Sequence, residues 1–181
     1  MNLTFLIPTR IETEDRLRNI ISSVSYLLKH TTAKVIVKEV APHNTFLSRA
    51  LSEIKKYVDI ANYDADCILP VQSYHQAYHI LDTDQADVVY PYQCGIYQWR
   101  ANYNMDIYNS FMQTLSTNVL DKDKQLSNST IGWTQFINRQ KYIDSYMMNE
   151  NFISWGCEDD EFYYRMSVLG HRIARLNDYV Y

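Results

Sequence analysis

The sequence predicts an α/β fold: a single domain whose Rossmann-like, mostly parallel mixed sheet is flanked by helices. Three observations carry this reading. The chain opens strand, long helix, strand, which is a βαβ unit and places two strands parallel. Short aliphatic runs then keep alternating with helix-period segments to the end of the chain. Finally, 181 residues with 46% hydrophobic and 21% charged side chains suffice for one buried core and argue against a second full domain.

Taken in order, Leu3 to Ile7 reads as a buried strand, with Pro8-Thr9-Arg10 as the turn at its carboxyl end. A helix follows from about Glu12 to His30, with Leu17, Ile20, Ile21, Val24 and Leu27 on one face. Lys34 to Val40 is the second strand, Pro42 to Asn44 a loop, Phe46 to Lys56 a helix, and Tyr57 to Asn62 a third strand running into Asp64-Ala65-Asp66. A helix over Gln72 to Leu81 leads to a strand over Ala86 to Tyr90, stopped by Pro91. A further helix near Met105 to Thr117 precedes a polar run, Asp121 to Thr130, whose composition is that of a mobile loop. Ile131 to Ile137 is a strand, Arg139 to Met147 a short helix and Arg172 to Leu176 a last strand. Between these two, Glu158 opens an amphipathic helix carrying Phe162, Tyr163, Met166, Val168 and Leu169 and closed by Gly170.

Charge and cysteine usage narrow the function classes. With 17 basic against 21 acidic residues the formal charge is −4, and no basic face is readable, which excludes broad nucleic-acid or anionic-membrane binding. The amino-terminal apolar run is short and has no basic residues before it, so it reads as a strand rather than a signal peptide, and no stretch reaches membrane-spanning length. Three cysteines without C-x-x-C spacing suggest neither a disulfide framework nor a zinc site. A soluble cytoplasmic protein is expected. The 16 tyrosines offer stacking faces and hydroxyls for sugars or nucleotides, and serve equally as core filler.

Two acidic motifs carry the chemistry. An Asp-x-Asp triplet can place two carboxylates on a divalent ion, which in turn neutralises a diphosphate. Asp64 and Asp66 follow a buried strand, where open α/β sheets hold ligands, whereas Asp82-Thr83-Asp84 and Asp121-Lys122-Asp123 share the spacing without that context. The second motif is Trp155-Gly156-Cys157-Glu158-Asp159-Asp160-Glu161. Acids in a first turn offset the helix dipole, but four in succession repel one another, so a purely structural role is expensive unless some face a cation, a sugar hydroxyl or water. His75 and His79 have chelating spacing but lack the glutamate of the metalloprotease motif, and read as a solvated face. Cys157, crowded by carboxylates, is no activated nucleophile. Trp133 and Trp155 are either core or a sugar-stacking platform, and Trp155 adjoins the acids.

In this order the motifs resemble the metal-dependent nucleotide-sugar transferases of the glycosyltransferase A fold, most closely the beta-1,4-galactosyltransferase group. Ile7-Pro8-Thr9-Arg10 is similar to that family's Ile-Pro-Phe-Arg, and Phe46-Leu47-Ser48-Arg49-Ala50 to its Phe-Asn-Arg-Ala with one extra residue. Asp64-Ala65-Asp66 matches its Asp-x-Asp, and Trp155-Gly156-Cys157-Glu158-Asp159-Asp160 its Trp-Gly-Gly-Glu-Asp-Asp. Arg165 and Gly170-His171-Arg172-Ile173-Ala174-Arg175 match the downstream Arg and Gly-x-x-Ile-x-Arg.

The resemblance implies an inverting hexosyltransferase. A nucleotide-diphospho-sugar, a UDP-hexose, would donate to a hydroxyl of a glycan or glycoconjugate, with Mn²⁺ or Mg²⁺ on the diphosphate. It assigns the general base to Asp159, acceptor binding to Glu158 and Asp160, and metal binding to Asp64 and Asp66. Trp155, Gly156, Pro8, Thr9, Arg10, Glu39 and Arg49 carry over as substrate-binding residues. Residues 1–91 would form the nucleotide-sugar and metal half of the domain and 92–181 the acceptor side. The segment from Arg49 to Asp64 is shorter than in the family, and Cys157 replaces a glycine. The family's further metal histidine has no counterpart before Tyr181, which leaves His171 as a substitute or a minimal site. Absence of an anchor points to a microbial or viral enzyme. The rival class is a nucleotide- or carbohydrate-binding module of the same fold that has lost turnover. A nucleotidyltransferase would need a glycine-rich basic loop after the first strand, which Thr9-Arg10-Ile11-Glu12 does not supply.

Overall fold

A computed structural model describes residues 1–39, 59–93, 99–101, 104–120, 122–125, 131–149, 151–152, 156–178 and 180–181. The predicted loop at Pro42 to Asn44, the predicted helix over Phe46 to Lys56, and Arg49 and Trp155 lie outside these residues. Eight strands are present among them: β1 (Leu3–Thr9), β2 (Lys34–Glu39), β3 (Asp59–Tyr63), β4 (Val88–Tyr90), β5 (Trp99–Ala101), β6 (Lys122–Gln125), β7 (Thr134–Ile137) and β8 (Ile173–Arg175). The helices are α1 (Glu14–His30), α2 (Val71–Asp82), α3 (Met105–Thr114), α4 (Arg139–Asp144) and α5 (Glu158–Val168).

Six strands form one sheet in the order β2-β1-β3-β7-β4-β8, and β5 pairs with β6 in a separate two-stranded sheet. The β1–β2, β1–β3 and β4–β8 pairs are parallel, and β7 alone runs antiparallel, between β3 and β4. This is the mixed, mostly parallel sheet expected from the βαβ opening. The register Thr9↔Glu39 and Tyr90↔Arg175 fixes which edge collects the carboxyl ends of the parallel strands. Because β7 is reversed, its amino end reaches that same edge, with Thr134 opposite Tyr63.

The core is aromatic. Phe5 meets Tyr63, Tyr74 and Phe136 edge-on at 5.6, 5.8 and 5.7 Å, a geometry worth about 0.5–1.5 kcal/mol per pair beyond area burial. Tyr26, Tyr63, Tyr74, Tyr90, Tyr92 and Tyr142 are all fully buried, so much of the tyrosine enrichment is core. The Tyr63 and Tyr74 hydroxyls bond one another at 2.8 Å, and Tyr74 also accepts from Leu69 N–H, so these rings bury no orphan oxygen.

Helix α1 starts where Thr13 caps Arg16 N–H and Glu14 and Asp15 occupy the first turn. Its buried stripe differs from the expected one: Ile20, Ser22, Ser23, Tyr26 and Leu27 are inside, while Leu17 and Ile21 are exposed. From that inward face Ser23 donates to Ala65 O at 2.8 Å, in the turn after β3. In α5, Phe162 and Met166 form the buried i, i+4 pair, whereas Val168 and Leu169 at the helix end are exposed. Within the expected loop Asp121 to Thr130, Lys122–Gln125 is instead a strand, paired with Trp99–Ala101. Its alternating charges carry no hydrophobic period, so only the tertiary partner makes it a strand. Among the described residues no helix is long and apolar enough to cross a membrane.

Candidate active site

Both acidic motifs arrive at the carboxyl edge of the sheet. Asp64 follows β3 directly, and its backbone N–H donates to Trp133 O at 2.9 Å, just ahead of β7. Cys67 Sγ donates to the same carbonyl at 3.2 Å. The Asp64-Ala65-Asp66 turn is therefore pinned to the segment that leads into β7. Asp66 is exposed, and Asp64 is half-buried.

The second motif enters α5 through two residues with left-handed backbone, Gly156 at φ 112° and Cys157 at φ 68°. Only glycine adopts such angles without cost. Glu158 turns back to accept from Gly156 N–H at 2.9 Å, which secures the turn. Glu161 is committed elsewhere: it takes Arg165 in a two-pronged pair at 2.7 and 3.0 Å, while Arg165 also donates to Ser145 O and Met147 O. Of the four acids, Asp160 is exposed and Asp159 turns inward.

Asp159 is held closely. Gln135, buried on β7, donates from Nε2 to Asp159 Oδ1 at 3.2 Å. A Cβ at Gly132 would overlap Asp159 Oδ2 and stand 2.7 Å from its Cγ, so the carboxylate occupies space that only glycine leaves open. Burial, with Glu158 and Asp160 adding repulsion against the Gln135 hydrogen bond, raises the Asp159 carboxyl to about 7. Asp64 is pushed well above the usual carboxylate range, first by desolvation and then by the charges of Asp66, Asp159 and Glu158. Both motifs thus meet the segment that opens β7, Asp64 through Trp133 O and Asp159 through Gln135 and Gly132.

Carboxylates are the donor chemistry a hard divalent cation takes. Among the described residues, however, no three His, Cys, Asp or Glu side chains converge to hold a metal, so Asp64 and Asp66 do not make a complete ligand set with their described neighbours. His171 is not a third ligand. It follows the far end of α5, roughly 15 Å of helix away from the acids, where its Nε2 bonds Ser145 Oγ at 2.8 Å and its Nδ1 lies 3.8 Å from Asp87. Of the other two Asp-x-Asp triplets, one is surface, with Asp82 accepting from Tyr78 OH and Asp84 pairing with Arg172, while Asp121 and the side chain of Asp123 lie outside the described residues. His75 and His79 are exposed.

Pro8, Thr9 and Glu39 lie at the carboxyl ends of β1 and β2, as expected, and Arg10 pairs with Glu12. A cavity of about 460 Å³ adjoins the Asp-x-Asp turn, lined among others by Asp15, Asn19, Asp66, Arg100, Trp133 and Tyr181. Trp133 stacks on Tyr92 with ring centroids 6.0 Å apart and also faces this cavity, so it serves both as packing and as wall. Gly132 and Gln135 were not legible as site residues. The available signal was that Gly132 is one of only four glycines.

An α/β sheet with acidic turns after β3 and before α5 at its carboxyl edge defines the glycosyltransferase A class of fold. The similarities to known proteins agree with that class. A family model described as the N-terminal domain of galactosyltransferase matches residues 115–180, which include β7, α5 and the second acidic motif. The catalytic domain of Drosophila beta1,4-galactosyltransferase 7 in complex with xylobiose superposes with a TM-score of 0.60 at 17% identity, covering 96% of this chain and 63% of that one. A mutant of the same enzyme in complex with manganese, UDP-Gal and xylobiose gives 0.62 at 16% identity with the same coverage. GalNAc-T7 with UDP, GalNAc and Mn²⁺ gives 0.66 at 12% identity, covering 99% of this chain and 42% of that one. The chain thus spans less than two-thirds of the length of each of these proteins. No curated protein matches it in sequence.

Proposed function

We propose that this chain is a metal-dependent glycosyltransferase. It moves a hexose from a nucleotide-diphospho-sugar, UDP-linked, to a hydroxyl of a carbohydrate or glycoconjugate acceptor with inversion. The observation that carries the reading is that one short segment opening β7 holds both acidic motifs, Asp64 through Trp133 O and Asp159 through Gln135 and the bare face of Gly132. Acids gathered at the carboxyl edge of the sheet with a raised proton affinity are candidates for chemistry rather than ordinary surface. The neighbours' bound manganese, UDP and sugars support the same class of ligands.

Asp64 and Asp66 bind the donor side, where a divalent cation would neutralise the leaving diphosphate. Pro8, Thr9, Arg10, Glu39 and Arg49 contribute to the nucleotide pocket. Asp159 takes the proton from the acceptor hydroxyl, and its affinity for a proton near pH 7 suits a general base. Glu158 and Asp160 accept hydroxyl hydrogen bonds, with Trp155 and Gly156 shaping the acceptor side. Residues 1–91 serve the donor and 92–181 the acceptor.

Titration calorimetry with UDP, with and without Mn²⁺, beside a transfer assay tests this. Asp66→Ala should lose Mn²⁺-dependent UDP binding and transfer together. Asp159→Asn should keep binding and lower transfer about 10²–10⁴-fold. Transfer retained in Asp159→Asn removes Asp159 as base, and UDP binding without transfer to any acceptor identifies a binding module instead.

A further inference from the structure

We propose that Gly132 and Gln135 are positioning residues that hold the Asp159 carboxylate in one orientation and fix its spacing from the Asp-x-Asp turn. The inference rests on the reading of Asp159 as base, but its geometry is independent of that reading. The two carboxylate oxygens are restrained separately: Oδ1 by the Gln135 amide at 3.2 Å, and Oδ2 by the bare face of Gly132, where a Cβ would stand 2.7 Å from Asp159 Cγ.

Both restraints come from the segment around the start of β7. Gln135 is itself anchored, because its Nε2 also donates to Ile131 O at 3.3 Å and its side chain is fully buried. Between these two residues, Trp133 O accepts from Asp64 N–H at 2.9 Å. A single short stretch thus grips the base on one side and the donor-side acid on the other. Neither Gly132 nor Gln135 offers the acceptor a reactive group, so each acts through Asp159. A side chain at 132 would push the carboxylate off its site, and loss of the Gln135 donor would free it to rotate. Because catalysis needs the base placed to within about 1 Å, either change should act on turnover rather than on donor affinity.

Three variants test this: Gly132→Ala, Gln135→Met and Gly132→Ala combined with Asp159→Ala. Each single change should lower kcat about 10–100-fold while the donor KM stays within about twofold. Thermal midpoints then separate contact from general damage. Gly132→Ala should lower the midpoint in the parent chain but leave it nearly unchanged in the Asp159→Ala background, where the colliding carboxylate is gone. Unchanged kcat in both single variants, or equal midpoint losses in the two backgrounds, overturns the proposal. If Asp159→Asn keeps transfer while the midpoints remain coupled, the base assignment fails and the clamp on residue 159 stands.

Discussion

Asp159 is protonated in the folded chain over a range in which an unfolded aspartate is ionised. Folding therefore takes up a proton between the ordinary carboxylate value of about 4 and its folded value of about 7. The stabilising contribution is complete below the first value and is lost as pH rises through the second. Above that value the buried carboxylate is charged and poorly solvated, and Asp159→Asn removes this cost. In protein kept metal-free with a chelator, it should raise the thermal midpoint at pH 8, by the equivalent of about 1–3 kcal/mol, and change it little at pH 4. An equal shift at both pH values would mean that the gain comes from packing and not from charge. On the proposed assignment of Asp159 as general base, transfer should rise as pH passes through about 7, because only the ionised carboxylate accepts a proton.

At the scale of elements, the turn into α5 concentrates strain. Cys157 adopts φ 68° without any side-chain cap bond, and its thiol is exposed. A left-handed non-glycine residue costs about 1–2 kcal/mol, and glycine costs about 0.5–1 kcal/mol of unfolded-state entropy, so Cys157→Gly should stabilise by about 0.5–1 kcal/mol. Chemical denaturation would detect it, and a loss of stability would show that the thiol contributes packing. The acids and the α5 start were legible because a charge run beside Trp-Gly stands out along the chain. The strands β1 to β4 were legible from aliphatic runs. β6 was not, since Lys122–Gln125 is polar throughout and owes its form to β5. Gly132 and Gln135 were hidden for another reason: what they do depends on Asp159, a neighbour in space that no local pattern announces.

For the whole molecule, the edge of the sheet opposite the site is fastened by charge. Buried Asp87 accepts from the Arg172 backbone at 2.8 Å and from its guanidinium at 3.0 Å, and Arg172 also reaches Asp84 at 2.6 Å. Burial alone would raise the Asp87 carboxyl, but the Arg172 hydrogen bonds outweigh it and hold it below the usual value. This contribution is present above the ordinary carboxylate range and lost as pH falls through the depressed value. Arg172→Leu leaves Asp87 with its backbone donor and the more distant His171, and should destabilise the fold at pH 7 and do so less in acid. Equilibrium unfolding at both pH values measures it; a loss that does not shrink in acid would trace to the Arg172 stem rather than its charge.

The reversed strand β7 has a consequence for how the molecule comes apart. It belongs to the carboxyl-terminal half of the chain yet lies between β3 and β4 of the amino-terminal half, and β8 completes the sheet beside β4. The proposed donor and acceptor halves therefore share one sheet and are not units of folding. Neither can close its core alone, and the pairings that complete the sheet join residues far apart in the chain, which makes assembly slow and cooperative. The site should consequently vanish in one step with the fold, with no partly unfolded state that retains one acidic motif poised while the other is lost.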